Sequence, residues 1–324
     1  MIYISMLSSL RINRCFLFAD KINLKSVIMK RFIVSGMLMS LILILASGIS
    51  PYIRVAEKAG PMKDVVDQVT RVLEGGGYEV IGQYQPGENP DLFVLVFTND
   101  ELISFTRELK DRGMLAAAMK VGFQETEEKI SVSIVNPEYL FYAYFQEKMN
   151  DVSFNSDALE ISRQILHTMG SVGSLRENFG GDLSAEKLMK YRYMAGMPNF
   201  EKAVSLAEFN SYDQGLVAIR NGLSEKENIF QVYEIVCDSK ETAVFGIGMK
   251  DKEKGEAHFL PIIGESHVAA MPYEIILQGN EVTMLHGRFR FALHWPELTM
   301  GTFMKIKSSP GDVEDAMKLI FEAD

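Results

Sequence analysis

One pattern occurs twice in this chain. Gly113–Phe145, GMLAAAMKVGFQETEEKISVSIVNPEYLFYAYF, reads as strand, turn, strand and then a helix opened by Asn136-Pro137-Glu138. Val268–Phe303, VAAMPYEIILQGNEVTMLHGRFRFALHWPELTMGTF, reads as a diverged copy with Trp295-Pro296-Glu297 in the matching place. Laying Pro137 on Pro296 pairs Ile134 with Leu293, Val132 with Phe291 and Ile130 with Phe289. The period-2 alternation survives that superposition, whereas a slip of one would put Arg290 opposite a core residue. Two copies imply two similar domains, and 324 residues suffice for two. The expected division is 1–50 as upstream segment and signal peptide or membrane anchor, 51–150 as a first α+β repeat, 151–200 as a helical connector and 201–324 as a second α+β repeat.

Local patterns fill in the order. Met62–Leu73 has apolar residues at helical spacing, and Gly75-Gly76-Gly77 ends it as a C-cap turn; a phosphate loop would precede a helix. Leu92–Phe97 is a continuous apolar run, hence a buried strand, and Asn99 or Asp100 can cap a helix behind it. In Ile130–Val135, Ile130, Val132 and Ile134 alternate with Ser131 and Ser133, so one face is core and the other wet. Ser184 caps a short helix in the connector, within a glycine-rich stretch expected to be loose. Ala203–Phe209 reads as strand, Tyr212–Leu223 as helix, and Ile229–Cys237 with Thr242–Met249 as paired strands. His258–Ala270 is expected to replace the middle helix with something shorter or irregular, and Glu281–Trp295 to form a long strand or hairpin.

These residues resemble the domain-of-unknown-function family 302, whose order is strand, helix, strand, strand ending in Asn-Pro, helix, Leu-Pro-Cys, strand, strand and Asp-Pro. Here Thr98-Asn99-Asp100 stands at the Asn-Pro and Val135-Asn136-Pro137 at the final proline. In the second copy Met271-Pro272-Tyr273 stands at Leu-Pro-Cys and Trp295-Pro296 at the end. The resemblance covers most of 52–148 and 203–322. It implies two tandem β-α-β-β-α-β-β-type α+β domains similar to the TATA-box-binding-protein-like fold, after an N-terminal signal segment. It implies no catalytic residues, and both copies lack the family's cysteine.

Charge and cysteine usage limit the function. The first 48 residues hold six of the 33 basic and one of the 43 acidic residues, which leaves 27 against 42 beyond them, a net charge of −15. So acidic a body repels a phosphate backbone, which argues against nucleic acid as a partner. Only Cys15 and Cys237 are present, too few for a cysteine-rich metal site. Met29-Lys30-Arg31, the apolar run Phe32–Gly48 and its small terminal residues read as a secretory signal cleaved near Ala46–Ser50. The expected location is periplasmic or secreted. The alternative is an uncleaved helix over 32–53 anchoring the protein, its one expected link to a membrane.

Few residues suggest chemistry. The five histidines show no metal spacing, and no nucleophile elbow is present. His286, Arg288, Arg290 and His294 share one parity of the expected strand, with Phe289, Phe291, Leu293 and Trp295 on the other. They form a candidate anion-binding strip, or simply the solvated face of a half-buried strand. The scattered methionines, among them Met114, Met119, Met271, Met284, Met300, Met304 and Met317, suit core filling better than copper. Glu138 and Glu297 suit the first turn of a helix better than paired acid–base work. No catalytic residue, cofactor or metal ligand is assigned. The leading expectation is a non-enzymatic module binding a small ligand or a protein partner through a concave sheet or the domain junction. The alternatives are an enzyme without a recognisable motif using the His286/Arg288/Arg290/His294 face, and a haem or metal accessory protein.

Overall fold

The structure, a computed structural model, describes residues 48–109, 111–127 and 129–322. The expected signal segment, with Cys15, lies outside the described residues.

Strand β1 (Tyr52–Lys58) leads to helix α1 (Met62–Gly75), which buries Val65, Val66, Val69 and Leu73 along one stripe. The helix ends where the Gly76 amide donates to the carbonyls of Val72 and Leu73, and Gly77 turns the chain at φ +82°. Strands β2 (Glu79–Tyr84) and β3 (Leu92–Thr98) follow. Helix α2 (Asp100–Thr106) is capped by Asn99, whose side chain accepts from the Leu102 amide at 2.8 Å. A 3₁₀ turn over Gly113–Ala117 then feeds strands β4 (Met119–Thr126) and β5 (Lys129–Val135). Helix α3 (Pro137–Phe145) is capped by Asn136 through the Glu138 amide at 3.2 Å.

The connector holds helix α4 (Val152–Met169), strand β6 (Glu177–Phe179) and the short helix α5 (Ala185–Met189), capped by Ser184. Then come β7 (Val204–Glu208), α6 (Tyr212–Glu225), β8 (Ile229–Cys237), β9 (Thr242–Met249), α7 (Glu256–Ile263), a 3₁₀ turn over Glu265–Ala270, β10 (Tyr273–Gln278), β11 (Glu281–Met284) and α8 (Gly287–His294). Helices α9 (Met300–Phe303) and α10 (Ser309–Lys318) close the described chain.

The fold class is α+β, with two antiparallel sheets and helices. The first sheet runs β2-β3-β4-β5-β1-β6 and the second β7-β11-β10-β9-β8. From its first strand each half follows one order, strand, helix, strand, strand, helix, 3₁₀ turn, strand, strand, helix. The strand orders also correspond, β8, β9, β10, β11 and β7 standing where β2, β3, β4, β5 and β1 stand. The glycine-rich stretch expected to be loose contributes β6, which pairs with β1 through Tyr52 and Phe179.

Ladder register separates the faces of the first sheet. Leu95, Val121 and Ile134 lie abreast on one face, beside Phe93, Phe123 and Val132. Val96 and Lys120 lie abreast on the other, as do Val94, Gly122 and Ser133. The second half covers that other face. A Cβ on Gly122 would come within 2.6 Å of the Ala269 amide nitrogen, and one on Gly82 within 2.5 Å of the Val232 carbonyl oxygen. Hence Ser133, expected to be wet, is 4% exposed.

Two expectations for the second half are overturned. Residues 256–263 form a regular helix, α7, in the place that α2 holds in the first half. Glu281–Trp295 is not one long strand or hairpin. It is the four-residue strand β11 followed by helix α8, which is buried nearly all round. Such a helix shows no amphipathic period, and the alternation of Arg288, Phe289, Arg290 and Phe291 imitates a strand. The counterpart of Asn136-Pro137 is therefore His286-Gly287. His286 caps α8 by accepting from the Arg288 amide at 3.2 Å, as Asn136 caps α3. Pro296 comes after α8, so the pairing of Pro137 with Pro296 does not hold, nor do Glu138 and Glu297 correspond.

Candidate functional site

The helix in place of a strand scatters the expected strip. Arg290 and His294 are one turn apart on α8 and buried at 2% and 4% exposure, whereas Arg288 is exposed. His286 is half-buried, and its pKa is lowered by burial, against Glu314, which raises it. The four residues do not share a solvated face.

Arg290 belongs to an ionic network between the halves. Its Nη2 donates to the carbonyls of Ala270 at 2.5 Å and Pro272 at 2.7 Å, and to the Glu274 carboxylate at 3.2 Å. The guanidinium lies 3.8 Å from the Tyr273 ring centroid. The second Glu274 oxygen takes the Lys120 ammonium from β4. Burial works against the Arg290 charge, but Glu274 and the nearby tyrosine oxygens outweigh it and its pKa is raised. Burial lowers the Lys120 pKa, against the pull of Glu274. His294 lies beside them and is held far below the ordinary histidine pKa by burial, then by Arg290 and Lys120. Its Nδ1 lies 3.2 Å from the Tyr52 hydroxyl and its Nε2 3.5 Å from the Tyr144 hydroxyl, both within hydrogen-bond reach. Glu256 on α7 accepts from the Tyr84 hydroxyl at 2.9 Å and the Gly87 amide at 3.0 Å, and burial pushes its pKa to about 8. These side chains lie at the junction, one of the places where a ligand was expected. Lys120 and Glu274 each stand alone in an apolar run, AAAMKVGF and YEIIL, which is the sequence signal that could have marked them.

Arg288 lies elsewhere, on the wall of an outer groove with a volume of about 300 Å³. Met194, Met197, Met300, Met304, Leu298 and Phe303 supply its apolar walls, with Tyr193 and Ala292. Lys307 is its second cation, and none of its lining residues is acidic. Neither Arg288 nor Lys307 has an ion-pair partner among the described residues. Core filling holds for Met114, Met119, Met271, Met284 and Met317, all at most 2% exposed. It fails for Met300 and Met304, at 48% and 56%, and Met194 is likewise 48% exposed. The sequence signal for this groove is the spacing Met194-x-x-Met197 and Met300-x-x-x-Met304 in otherwise polar segments.

A second cleft of about 650 Å³ adjoins the groove and shares Tyr193 with it. Lys187, Lys190 and Arg192 line it, with Glu186 its one acidic residue. Among the described residues there is no group of three or more His, Cys, Asp or Glu that could hold a metal ion. No described helix is long and apolar enough to cross a membrane.

No protein-family profile matches the chain, and no curated protein matches it. Among solved structures, the chain is similar to an uncharacterized conserved protein DUF302 from Bacillus stearothermophilus. The identity is 12% and the TM-score 0.31, over 37% of this chain and 95% of that one.

Proposed function

We propose that the protein is a non-enzymatic binding module whose outer groove takes a small amphipathic anion, an apolar chain ending in a carboxylate or phosphate. The observation that carries this is the pairing of exposed methionine walls with Arg288 and Lys307, two cations without carboxylate partners. Groove volume falls at the lower end of the ~300–1,000 Å³ usual for ligand sites. Methionine suits such a wall because its unbranched thioether adapts to an irregular chain. A cation without a carboxylate partner attracts an anion without first breaking an ion pair.

The same reading has the two halves as diverged tandem copies of a family-302-type unit, supported by the matching element and strand orders. It also has the protein exported, on the strength of the basic and apolar run over 29–48. The mass of the exported protein tests the second point: an intact terminus at Met1 or Met29 on membrane-bound material means an anchor.

Binding of dodecanoate, followed by calorimetry, tests the groove. Saturable one-to-one binding that weakens at least tenfold in Arg288→Glu/Lys307→Glu is expected, as a lost charge-assisted contact costs about 1.5–3 kcal/mol. No binding, or binding indifferent to both charges, rejects the reading.

A further inference from the structure

The groove and the cationic cleft beside it are one continuous face, joined at Tyr193. That face is unlike the rest of the molecule. The chain beyond residue 48 carries a net charge of −15, yet Lys187, Lys190, Arg192, Arg288 and Lys307 gather here around a single lining carboxylate, Glu186. None of the five cations has an ion-pair partner among the described residues. Elsewhere basic side chains are commonly paired, as Arg54 is with Glu177, Lys129 with Glu57 and Arg220 with Glu234. Beside the cations stand three of the most exposed large apolar side chains, Met194, Met300 and Met304.

We infer that this face docks onto the surface of an anionic phospholipid bilayer. Exposed apolar side chains flanked by lysine and arginine are what a peripheral protein sets into the headgroup boundary. Buried apolar area and attraction to anionic lipid then add. The three methionines enter the boundary, and Lys187, Lys190 and Arg192 lie against lipid phosphates. The acidic remainder is repelled by the same surface, so the bilayer also selects this orientation. The inference goes beyond the small-ligand reading and shares with it only the accessibility of the groove.

Residue-resolved methionine oxidation of the full chain tests this, because its readout at these three methionines does not depend on how residues 1–48 meet the lipid. Hydrogen peroxide is applied with vesicles of phosphatidylglycerol and phosphatidylcholine, with vesicles of phosphatidylcholine alone, and with dodecanoate but no vesicles. Phosphatidylglycerol vesicles are expected to slow oxidation of Met194, Met300 and Met304 several-fold, while Met62, which lines neither cavity, keeps its rate. The protection should fade in high salt, because added ions screen exposed charges. Lys187→Glu/Lys190→Glu/Arg192→Glu should lose protection by vesicles and keep protection by dodecanoate. Equal protection by neutral vesicles, no protection by anionic ones, or full protection in the triple variant overturns the inference. Protection by an acidic amphipathic peptide but not by anionic vesicles also overturns it, and assigns the face to a protein partner. Protection by vesicles without any by dodecanoate removes the small-ligand reading and leaves bilayer docking standing.

Discussion

Lys120 and Glu274 are each the second residue of the fourth strand of their half, and their side chains meet in an ion pair at the junction, 6% and 5% exposed. Equivalent positions thus carry opposite charges that neutralise one another where the halves close. Glu274 also serves Arg290, so one carboxylate holds two buried cations. The three charges are not equally replaceable. Glu274→Ala leaves both cations uncompensated and should cost about 3–5 kcal/mol, the usual penalty for breaking a buried pair. Lys120→Met leaves Glu274 with Arg290 and removes a charge that burial disfavours, so its cost should stay within about 1 kcal/mol. Urea unfolding of both variants checks this. Equal losses would mean that the network is not centred on Glu274.

Arg288 and Arg290 are two residues apart and should behave as opposites. Arg290 is buried on three hydrogen bonds and a tyrosine ring, so Arg290→Ala should cost about 3–5 kcal/mol by leaving two buried carbonyls without a donor and Glu274 with Lys120 alone. Arg288→Ala removes an exposed side chain and should stay within about 0.5 kcal/mol. Thermal melts decide between this order and two equally small losses, which alternation along a strand would require, since it puts both arginines on one solvated face.

That pair also marks how far the sequence could be read. Helix caps at Asn99, Asn136 and Ser184 and the glycine stop after α1 are local signals, and each stands where the pattern put it. The alternation in β5 placed Ile130, Val132 and Ile134 in the core but could not show that the second half covers Ser133. Helix α8 was illegible because it is buried nearly all round, and burial from every side erases the period that identifies a helix. The anchor Pro296 then fixed a false register, since the true counterpart of Asn136 is His286, a cap of different residue type. The spacings Met194-x-x-Met197 and Met300-x-x-x-Met304 mark each wall of the outer groove locally, but no spacing rule announces that the two walls meet across a hundred residues.

The buried carboxyl of Glu256 should set the neutral side of the stability profile. Its pKa rises from 4.5 to about 8 on folding, so between those values the unfolded chain has lost a proton that the folded chain retains. This contribution is fully present below pH 4.5 and is lost as pH rises through about 8, by an amount on the order of a few kcal/mol. Glu256→Gln keeps one of the two accepting oxygens and cannot ionise. Urea midpoints for this variant should fall less between pH 5 and 8 than those of the unaltered protein. Parallel profiles would show that Glu256 is charged in the folded protein.

His267 should set the acid side. Burial lowers its pKa from 6.5 to about 4. It stands among Tyr52, Phe179 and Trp295, with ring centroids 5.0, 5.6 and 5.7 Å away. Its contribution is present above pH 6.5 and is lost as pH falls through about 4, because the unfolded chain takes up the proton first. His267→Phe fits the aromatic surroundings and should flatten the loss of stability between pH 6.5 and 4. An unchanged acid slope would assign that loss to other groups, His294 first among them.

The close approach of the halves is the last property open to test. At Gly122 the second half comes so near that a Cβ would sit 2.6 Å from the Ala269 nitrogen and 2.7 Å from Val268 Cγ1. One obstacle is backbone, so it cannot swing aside as a flexible side chain would. Gly122→Ala should therefore cost at least about 1–3 kcal/mol, as overpacking in a tight interior does. Gly75, the last residue of α1, has nothing within 4 Å of its would-be Cβ. Gly75→Ala should be neutral or stabilise by up to about 1 kcal/mol, because alanine loses less backbone freedom in a helix. If displacement of the second half is what Gly122→Ala costs, amide exchange should quicken in β4 and across Val268–Ala270 together. Destabilisation without faster exchange on both sides would place the strain inside the first sheet instead.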